Sequence, residues 1–530
     1  MVYLHQAIDD KCIFVHSTDN LLPRTRQTML ILLTRTLKVV AIGLAILLAI
    51  LALNTWHQKS KQIQVKSIAP FDIDQQAALD NLSAAVRLQT IASAEDAQQN
   101  ADQFKQLHAL LAQRFPLSHR LLQRETVGEL SLLYTWPGSD PTAQGILLMA
   151  HQDVVPIAPG TESQWTFPPF SGAVQDGFIW GRGAWDDKGN LMAQMEALEL
   201  LVKSGFQPQR TLYFAFGADE EVLGTRGAAA IAALLKQRGV KLHLVLDEGL
   251  LITHGMLPGL DQAAALIGVA EKGYLSVQIQ VKAEPGHSSM PPAAGHSAIG
   301  KLSQVLTYLD QHQRPSQIQG VAKELFETVA PEMHGLNRLA LSNLWLFGRL
   351  VQSDLEKSDA TRALLHTTTA ITMTHAGNKE NVLPGIAEAT INFRLLPGDS
   401  VDQVVRDIRQ QIGEVLNEKE YSVNVMPKAV NASKVSSTSS TQYQLLNRTI
   451  RETFPNTIVA PGLMLGATDS IKFEELSEHI FKFSPVHANN EDLSRFHGSN
   501  ERMSIANYLD MIRFYHRFIS VTTALNPQPN

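Results

Sequence analysis

The sequence predicts an α/β fold: a domain with a central mixed sheet, interrupted by an inserted α+β unit of ferredoxin-like type and preceded by a transmembrane helix. Three observations predict it. From residue 129 onward, apolar runs of strand length alternate with amphipathic helical stretches, the pattern of an open α/β sheet. After residue 271 the strands alternate strictly between apolar and polar side chains, as strands with one wet face do. Residues 39–53, VVAIGLAILLAILAL, carry no charge.

That uncharged run is shorter than the about 20 residues a spanning helix uses. Asn54, Thr55 and Trp56 extend it through the interface, so the anchor is read as residues 39–56. Arg24, Arg26, Arg35 and Lys38 precede the run, and residues 21–53 contain no acid. The positive-inside rule then makes residues 1–38 a cytoplasmic tail and puts the rest on the periplasmic, or extracytoplasmic, side. Ala52, Leu53 and Asn54 form a poor cleavage site, which favours an uncleaved signal anchor. Cleavage would instead give a secreted protein. Met29 would make a second start for such a segment.

Residues 57–76 are mostly polar and read as a tether. Helical apolar spacing follows at 77–91 and 98–115. GILLMAH (145–151), TLYFAFGA (211–218) and LHLVLDE (242–248) read as buried strands, with helices at 191–204 and 227–239 between them. These elements make residues 77–272 the first part of the main domain. YLSVQIQVKA (274–283), TTTAITMTH (367–375), AEATINFRLLP (387–397) and YSVNVMP (421–427) are alternating strands, with helices at 296–312 and 401–415. They define the insert, residues 273–428. The Ser/Thr-rich stretch VNASKVSSTSSTQ (430–442) reads as a return linker, and the main domain resumes over 429–525.

Composition bounds the function. The 530 residues exceed one ordinary core and imply two or three folding units. Apolar residues make up 44% and charged residues 18%, the balance of a globular chain. The net charge is −6 with no basic face, which excludes a nucleic-acid partner. Cys12 is the only cysteine, so there is no internal disulfide framework and no thiolate zinc site. Any metal must sit on His, Asp and Glu, which suit catalytic zinc.

Five segments bring such residues to strand ends and loops. His151-Gln152-Asp153 closes a strand, and an Asp two residues after a metal-binding His can orient its ring. GRGAWDDKGN (181–190) is a glycine-rich turn that ends in Asp186 and Asp187 and opens a helix. GADEEVLGTRG (217–227) sets Asp219, Glu220 and Glu221 directly after a strand, so one acid can hold a metal while its neighbour reaches a water. LDEG (246–249) puts Asp247 and Glu248 at another strand end, and FHGSNERMS (496–504) places His497 in a late loop. Each alone has an ordinary reading, such as a helix cap or a solvated acidic turn. Together they converge beyond the carboxyl ends of one sheet, where α/β folds gather their sites.

MAHQDVVP, GRGAWDDKG, DEEVLGTRG, VLDEG and FHGSNE, in this order, resemble the zinc aminoacylase and carboxypeptidase family over about residues 77–523. GVAEKGYLSVQIQV, GHSSMPP, LSNLWLF, NVLP, NFRLLPG and GATDS are most similar to its N-fatty-acyl-amino-acid synthase/hydrolase and carboxypeptidase S branch. The resemblance implies a zinc-peptidase catalytic domain and makes the insert a lid or dimerisation domain. It implies two zinc ions per chain, with cobalt or manganese as substitutes. Asp186 would bridge them, His151 and Asp247 would complete one site, and Glu221 and His497 the other. Glu220 would be the general base, Asp153 would orient His151, and the Asp186–Asp187 peptide would be cis. His287 of the insert would stabilise the oxyanion, Arg394 would grip the substrate carboxylate, and Asn381 would position the substrate. Thr468 and Asp469, in GATDS, would line the substrate site; relatives follow this loop with Arg where this chain has Ile471 and Lys472.

The implied activity is hydrolysis of the amide bond of N-acyl amino acids, including N-fatty-acyl ones, or of short peptides. A carboxypeptidase or dipeptidase is the alternative within enzymes. A membrane-anchored binding protein without catalysis is the alternative outside them. The partners implied are a small-molecule substrate, the membrane through the N-terminal helix, and a second copy of the chain through the lid. The segment 313–357 is read as an extension of that lid.

Overall fold

The structure, a computed structural model, describes residues 22–257 and 259–525. The chain forms two units, Met1–Lys59 and Ser60–Asn530. The first 21 residues of the expected cytoplasmic tail lie outside the described residues.

In the first unit, helix Leu22–His57 runs well ahead of the 39–56 span expected from charge alone. Residues 29–38 contribute apolar side chains interrupted only by Thr34, Arg35, Thr36 and Lys38. The two threonine hydroxyls donate back to the carbonyls of Ile31 and Leu32, both at 2.9 Å, so they expose no unsatisfied donor. Thr28–His57 is long and apolar enough to cross a membrane, by length and composition. It is compatible with a signal anchor or a signal peptide.

The second unit is built on an eight-stranded mixed sheet. From edge to edge its strands are Gln123–Val127, Ser131–Trp136, Leu212–Gly217, Gly145–His151, Leu242–Thr253, Ile480–Ala488, Ala264–Glu271 and Ile458–Met464. Strand Gly145–His151 is buried along its length because both faces are covered. Its pleat sends Ile146, Leu148 and Ala150 into the larger core with helices Lys188–Lys203 and Ile505–Thr522. Leu147 and Met149 point the other way, against Ile231 and Leu235 of helix Ala228–Gln237. A continuous apolar run is what such two-sided burial requires.

A second, four-stranded antiparallel sheet has the order Thr368–Ala376, Ile386–Leu395, Gly273–Lys282, Tyr421–Val425. With helices Ala298–Gln311 and Val401–Gly413 it follows a βαββαβ chain order. Strand Ile386–Leu395 alternates buried and half-buried residues, as its sequence predicts. Its inward residues Ala387, Ala389, Ile391 and Phe393 pack with Leu302, Val305, Val404 and Ile408 of the two helices.

Two segments differ from expectation. Helix Gly320–Val329, read from sequence as a lid extension, packs Leu325 and Val329 against Ile458 and Ala460, covering the edge of the eight-stranded sheet. The expected tether is docked rather than free. The Gln62 side chain donates to the carbonyl of Val459 (3.0 Å) and accepts from its N–H (2.8 Å), mimicking one more strand residue at that edge.

Candidate metal centre

The site forms where two strand ends meet the middle of a third strand. His151 is the last residue of strand Gly145–His151 and lies in register with Gly217, after which the chain turns through Asp219–Glu220–Glu221. Helix Lys188–Lys203 begins just after Asp186 and Asp187, whose linking peptide is cis. Strand Leu242–Thr253 passes Asp247 and Glu248 alongside.

Asp186 is the hub. Its Oδ1 lies 2.9 Å from His151 Nε2, and its Oδ2 lies 2.7 Å from His497 Nε2. Glu248 Oε1 is 3.3 Å from His151 Nε2, and Glu221 Oε1 is 3.3 Å from His497 Nε2. Two histidine–carboxylate nests thus share one carboxylate. Glu248 takes the position expected of Asp247. The Asp247 carboxylate instead accepts the backbone N–H groups of Glu248 (2.9 Å) and Ser470 (2.9 Å) and is spent on shaping the turn. Adjacent residues of a strand point to opposite faces, so only one of the two acids can reach the ring.

Asp153 also differs in detail from its expected role. His151 Nδ1 lies 2.9 Å from the Asp153 backbone carbonyl and 3.5 Å from its carboxylate, so the carbonyl is the better acceptor. This bond keeps Nδ1 protonated and turns Nε2 toward the acids. The Asp153 carboxylate accepts the N–H groups of Glu220 (3.1 Å) and Glu221 (3.0 Å) and holds their turn in place. Asp219 does similar work behind the turn, accepting from Arg226 N–H (2.8 Å) and Gly227 N–H (2.9 Å). Gly224, at φ 61°, has no room for a side chain: a Cβ there would sit 1.7 Å from Asp469 Oδ1.

A buried ion pair joins the two halves of the site. Arg182 Nη1 meets Glu501 Oε2 at 2.5 Å, and both side chains are buried. Glu501 Oε1 accepts the N–H groups of Trp185 (3.0 Å) and Asp186 (3.1 Å). Arg182 Nη2 donates to the carbonyls of His497 (3.0 Å) and Gly498 (3.2 Å). His497 has φ 57°, a left-handed conformation that most residues avoid, and these bonds help hold it. The ring of Phe496 stacks on His497 with centroids 4.8 Å apart.

Crowding of acids sets the electrostatics. Burial, reinforced by Glu248, Asp469 and Glu221, pushes Glu220 well above the carboxylate range. Burial and the neighbouring Asp186 raise Glu248 to about 8. The Asp186 carboxyl is held low, against its burial, by His151 and His497. His497 is lifted to about 10 by Asp186 and Glu221. Such a cluster is stabilised by added cationic charge. The residues present fit a divalent metal. His151, Asp186 and Glu221 offer ligand atoms within 4.8 Å of one another, as do His151, Glu220 and Glu248. Among the described residues Glu221 Oε1 is buried and makes no hydrogen bond, only the 3.3 Å approach of His497 Nε2, which leaves an acceptor for a cation. An all His/carboxylate set suits zinc and its neighbours in the first transition row.

Residues 147–521 match the profile of peptidase family M20/M25/M40. The chain belongs to that family. It is 39% identical over 486 residues to a probable carboxypeptidase S-like protein of Dictyostelium discoideum, covering 90% of this chain and 92% of that one. It is 39% identical over 451 residues to an N-fatty-acyl-amino acid synthase/hydrolase of Danio rerio, covering 84% and 86%. Carboxypeptidase S of Saccharomyces cerevisiae is 31% identical, covering 84% of each chain. An M20 family metallo-carboxypeptidase from Sulfolobus solfataricus shares the fold, with TM-score 0.60, 17% identity and coverage of 84% of this chain and 99% of that chain. Membership of M20 makes the protein a metal-dependent hydrolase, and the family's divalent metal is typically zinc.

A cavity of about 540 Å³ opens over the acids. Asp186, Glu220, Glu221, His497, Arg394, Thr468 and Asp469 all line it, as their motifs lead one to expect. Thr468 donates to Glu271 Oε2 (3.0 Å), and burial raises the Asp469 carboxyl well above its usual range, with Asp247 and Asp153 adding to it. His287 and Asn381 are not brought in. Both are exposed and outside the cavity lining, and they neighbour each other: His287 pairs with Val382, and Ser288 N–H donates to Asn381 (3.2 Å). Of the two acids in LDEG the sequence reading chose Asp247, whereas Glu248 is the one beside His151. That reading also missed the Arg182–Glu501 pair, although both residues stand inside the quoted motifs.

Proposed function

We propose that this M20 hydrolase is a dizinc enzyme that cleaves the amide bond of N-acyl amino acids, N-fatty-acyl ones included. His151, Asp186 and Glu248 would hold one ion, and His497, Asp186 and Glu221 the other. Zinc supplies a Lewis acid for the scissile carbonyl and eases deprotonation of water. Glu220 accepts the proton of the attacking water and delivers it to the departing amine. The observation that best supports this reading is one cavity holding both the acid cluster with Glu220 and the Arg394 guanidinium. Arg394 stacks over Tyr274 at 5.0 Å, which presents it flat for a bidentate grip on a carboxylate.

The insert, residues 273–428, acts in this proposal as a lid and dimerisation domain. Closure, or a second copy of the chain, would deliver the exposed His287 as an oxyanion donor and Asn381 as a positioning group. The N-terminal helix would anchor the enzyme with its catalytic unit on the extracytoplasmic side.

One observation favours a second reading, a peptidase on short peptides. Among the described residues Glu271 Oε1 is buried without a hydrogen-bond partner, and Glu271 lines the same cavity, where a peptide's free ammonium would find it. A matched panel separates the two: N-oleoyl-Phe, N-acetyl-Phe and the dipeptide Ala-Phe, assayed with zinc, after EDTA, and with Glu220→Gln. Turnover should vanish on chelation and fall at least about 10²-fold in Glu220→Gln. Preference for the acylated substrates supports the amidase and preference for Ala-Phe the peptidase. Turnover that survives Glu220→Gln would sink the assigned base.

A further inference from the structure

We propose that the amino-acid half of the substrate carries a second carboxylate: the site takes N-acyl dicarboxylic amino acids of glutamate or aspartate type. This rests on the reading above of an N-acyl amino acid hydrolase and narrows it. The cavity is bipolar. Its acids lie at the metal centre, while Arg394, Lys272, Lys428 and Lys472 line it as well.

Three of these cations gather round Tyr274. Arg394 is its register partner on strand Ile386–Leu395 and stacks on its ring. On the other side Tyr274 bridges to Val430, exchanging backbone bonds of 2.9 and 2.8 Å. Lys272 precedes Tyr274 by two residues, and Lys428 precedes Val430 by two. Lys472 comes from the turn Asp469–Phe473.

None of the four takes part in an ion pair among the described residues. Lys272 is fixed, with Nζ donating to the carbonyls of Ala363 and His366, both at 2.9 Å. Arg394, Lys428 and Lys472 remain to meet a ligand. Glu271, next to Lys272 in sequence, is held by Thr468 and faces Lys482 at 3.9 Å.

A single α-carboxylate is satisfied by one guanidinium. Lys428 and Lys472, without a carboxylate in ion-pair distance among the described residues, leave positive charge in this part of a concave site to draw a second anion. Because Lys272, Arg394 and Lys428 surround the residue that presents Arg394, that anion belongs to the amino-acid side chain. A dicarboxylic acyl group is the other source of the same chemistry.

The test uses the full chain in detergent, loaded with zinc. kcat/KM is measured for N-acetyl-Glu, the isosteric N-acetyl-Gln, N-acetyl-Leu and N-succinyl-Leu. N-acetyl-Glu should exceed N-acetyl-Gln by about tenfold. That ratio should fall toward one in about 0.5 M salt and in the variants K428M and K472M. The salt arm needs no variant to fold. Equal rates on the Glu and Gln substrates, with N-acetyl-Leu turned over, overturn this inference and leave the hydrolase reading intact. A preference for N-succinyl-Leu over N-acetyl-Leu that exceeds the Glu/Gln ratio moves the second carboxylate to the acyl group and also overturns it. Turnover of none of the four overturns this inference, and failure on N-oleoyl-Phe as well removes the N-acyl amino acid reading with it.

Discussion

Replacing Glu501 by Gln removes one charge and leaves the shape of the site almost unchanged. The amide oxygen can still accept from Trp185 and Asp186, now at 3.0 and 3.1 Å from Oε1. The amide NH₂ then faces the Arg182 guanidinium, which is 2% exposed and, among the described residues, has no other carboxylate within ion-pair distance. Removing one partner of a buried pair costs about 3–5 kcal/mol, much of it the price of an uncompensated charge. Arg182 also holds the carbonyls of His497 and Gly498, so the displaced guanidinium loosens the loop that presents His497. Zinc affinity should therefore drop about 10–100-fold, the usual effect of losing a group that supports a ligand. Urea denaturation of the metal-free protein measures the first effect, and competition with a chelating dye measures the second. An Arg182→Met/Glu501→Leu double variant separates them: without the stranded charge it should regain stability, but not zinc affinity. If Glu501→Gln unfolds within about 1 kcal/mol of the parent and binds zinc as tightly, the pair does not position the centre.

Two further predictions follow from single contacts. Glu248→Gln should weaken zinc binding at least about tenfold, while Asp247→Asn, whose carboxylate accepts two backbone N–H groups, should change it only a few-fold; the opposite order would restore Asp247 as the ligand. Glu196 accepts from Asn81 Nδ2 at 2.8 Å, and burial raises its pKa from 4.5 to about 7, with Glu199 and Asp74 adding to the effect. The unfolded chain therefore releases this proton first, and stability falls between those two pH values and stays low above them. Glu196→Gln should be more stable than the parent at pH 8, by about 1–3 kcal/mol after discounting partial exposure, and should show no gain at pH 4. Denaturant midpoints at the two pH values check this, and an equal gain at both would refute the assignment.

The main sheet was legible because burial on two faces forces continuous apolar runs, and GILLMAH became a strand with the expected ends. The four-stranded sheet was legible for the complementary reason: one wet face imposes alternation on Gly273–Lys282 and Ile386–Leu395. Motif spacing brought His151, Asp186, Glu220, Glu221 and His497 to one place. It could not choose between Asp247 and Glu248, because that choice depends on which face of the strand looks at His151. Nor could it pair Arg182 with Glu501, which lie 319 residues apart. The docking of helix Gly320–Val329 was hidden for a similar reason. An amphipathic helix shows that it has a partner but not which one, and its partner strand comes over a hundred residues later.

Strand Ile480–Ala488 lies between Leu242–Thr253 and Ala264–Glu271 in the main sheet, although it is made long after both. A nascent chain therefore carries a vacant slot in the middle of its sheet until Ile480–Ala488 has left the ribosome. The two earlier strands touch only at their ends, through Ile252–Ala265 and Thr253–Ala264, so they cannot close the gap themselves. His497 follows nine residues after that strand. Synthesis thus fills the sheet and supplies His497 almost together, and a chain that stops before residue 480 has neither.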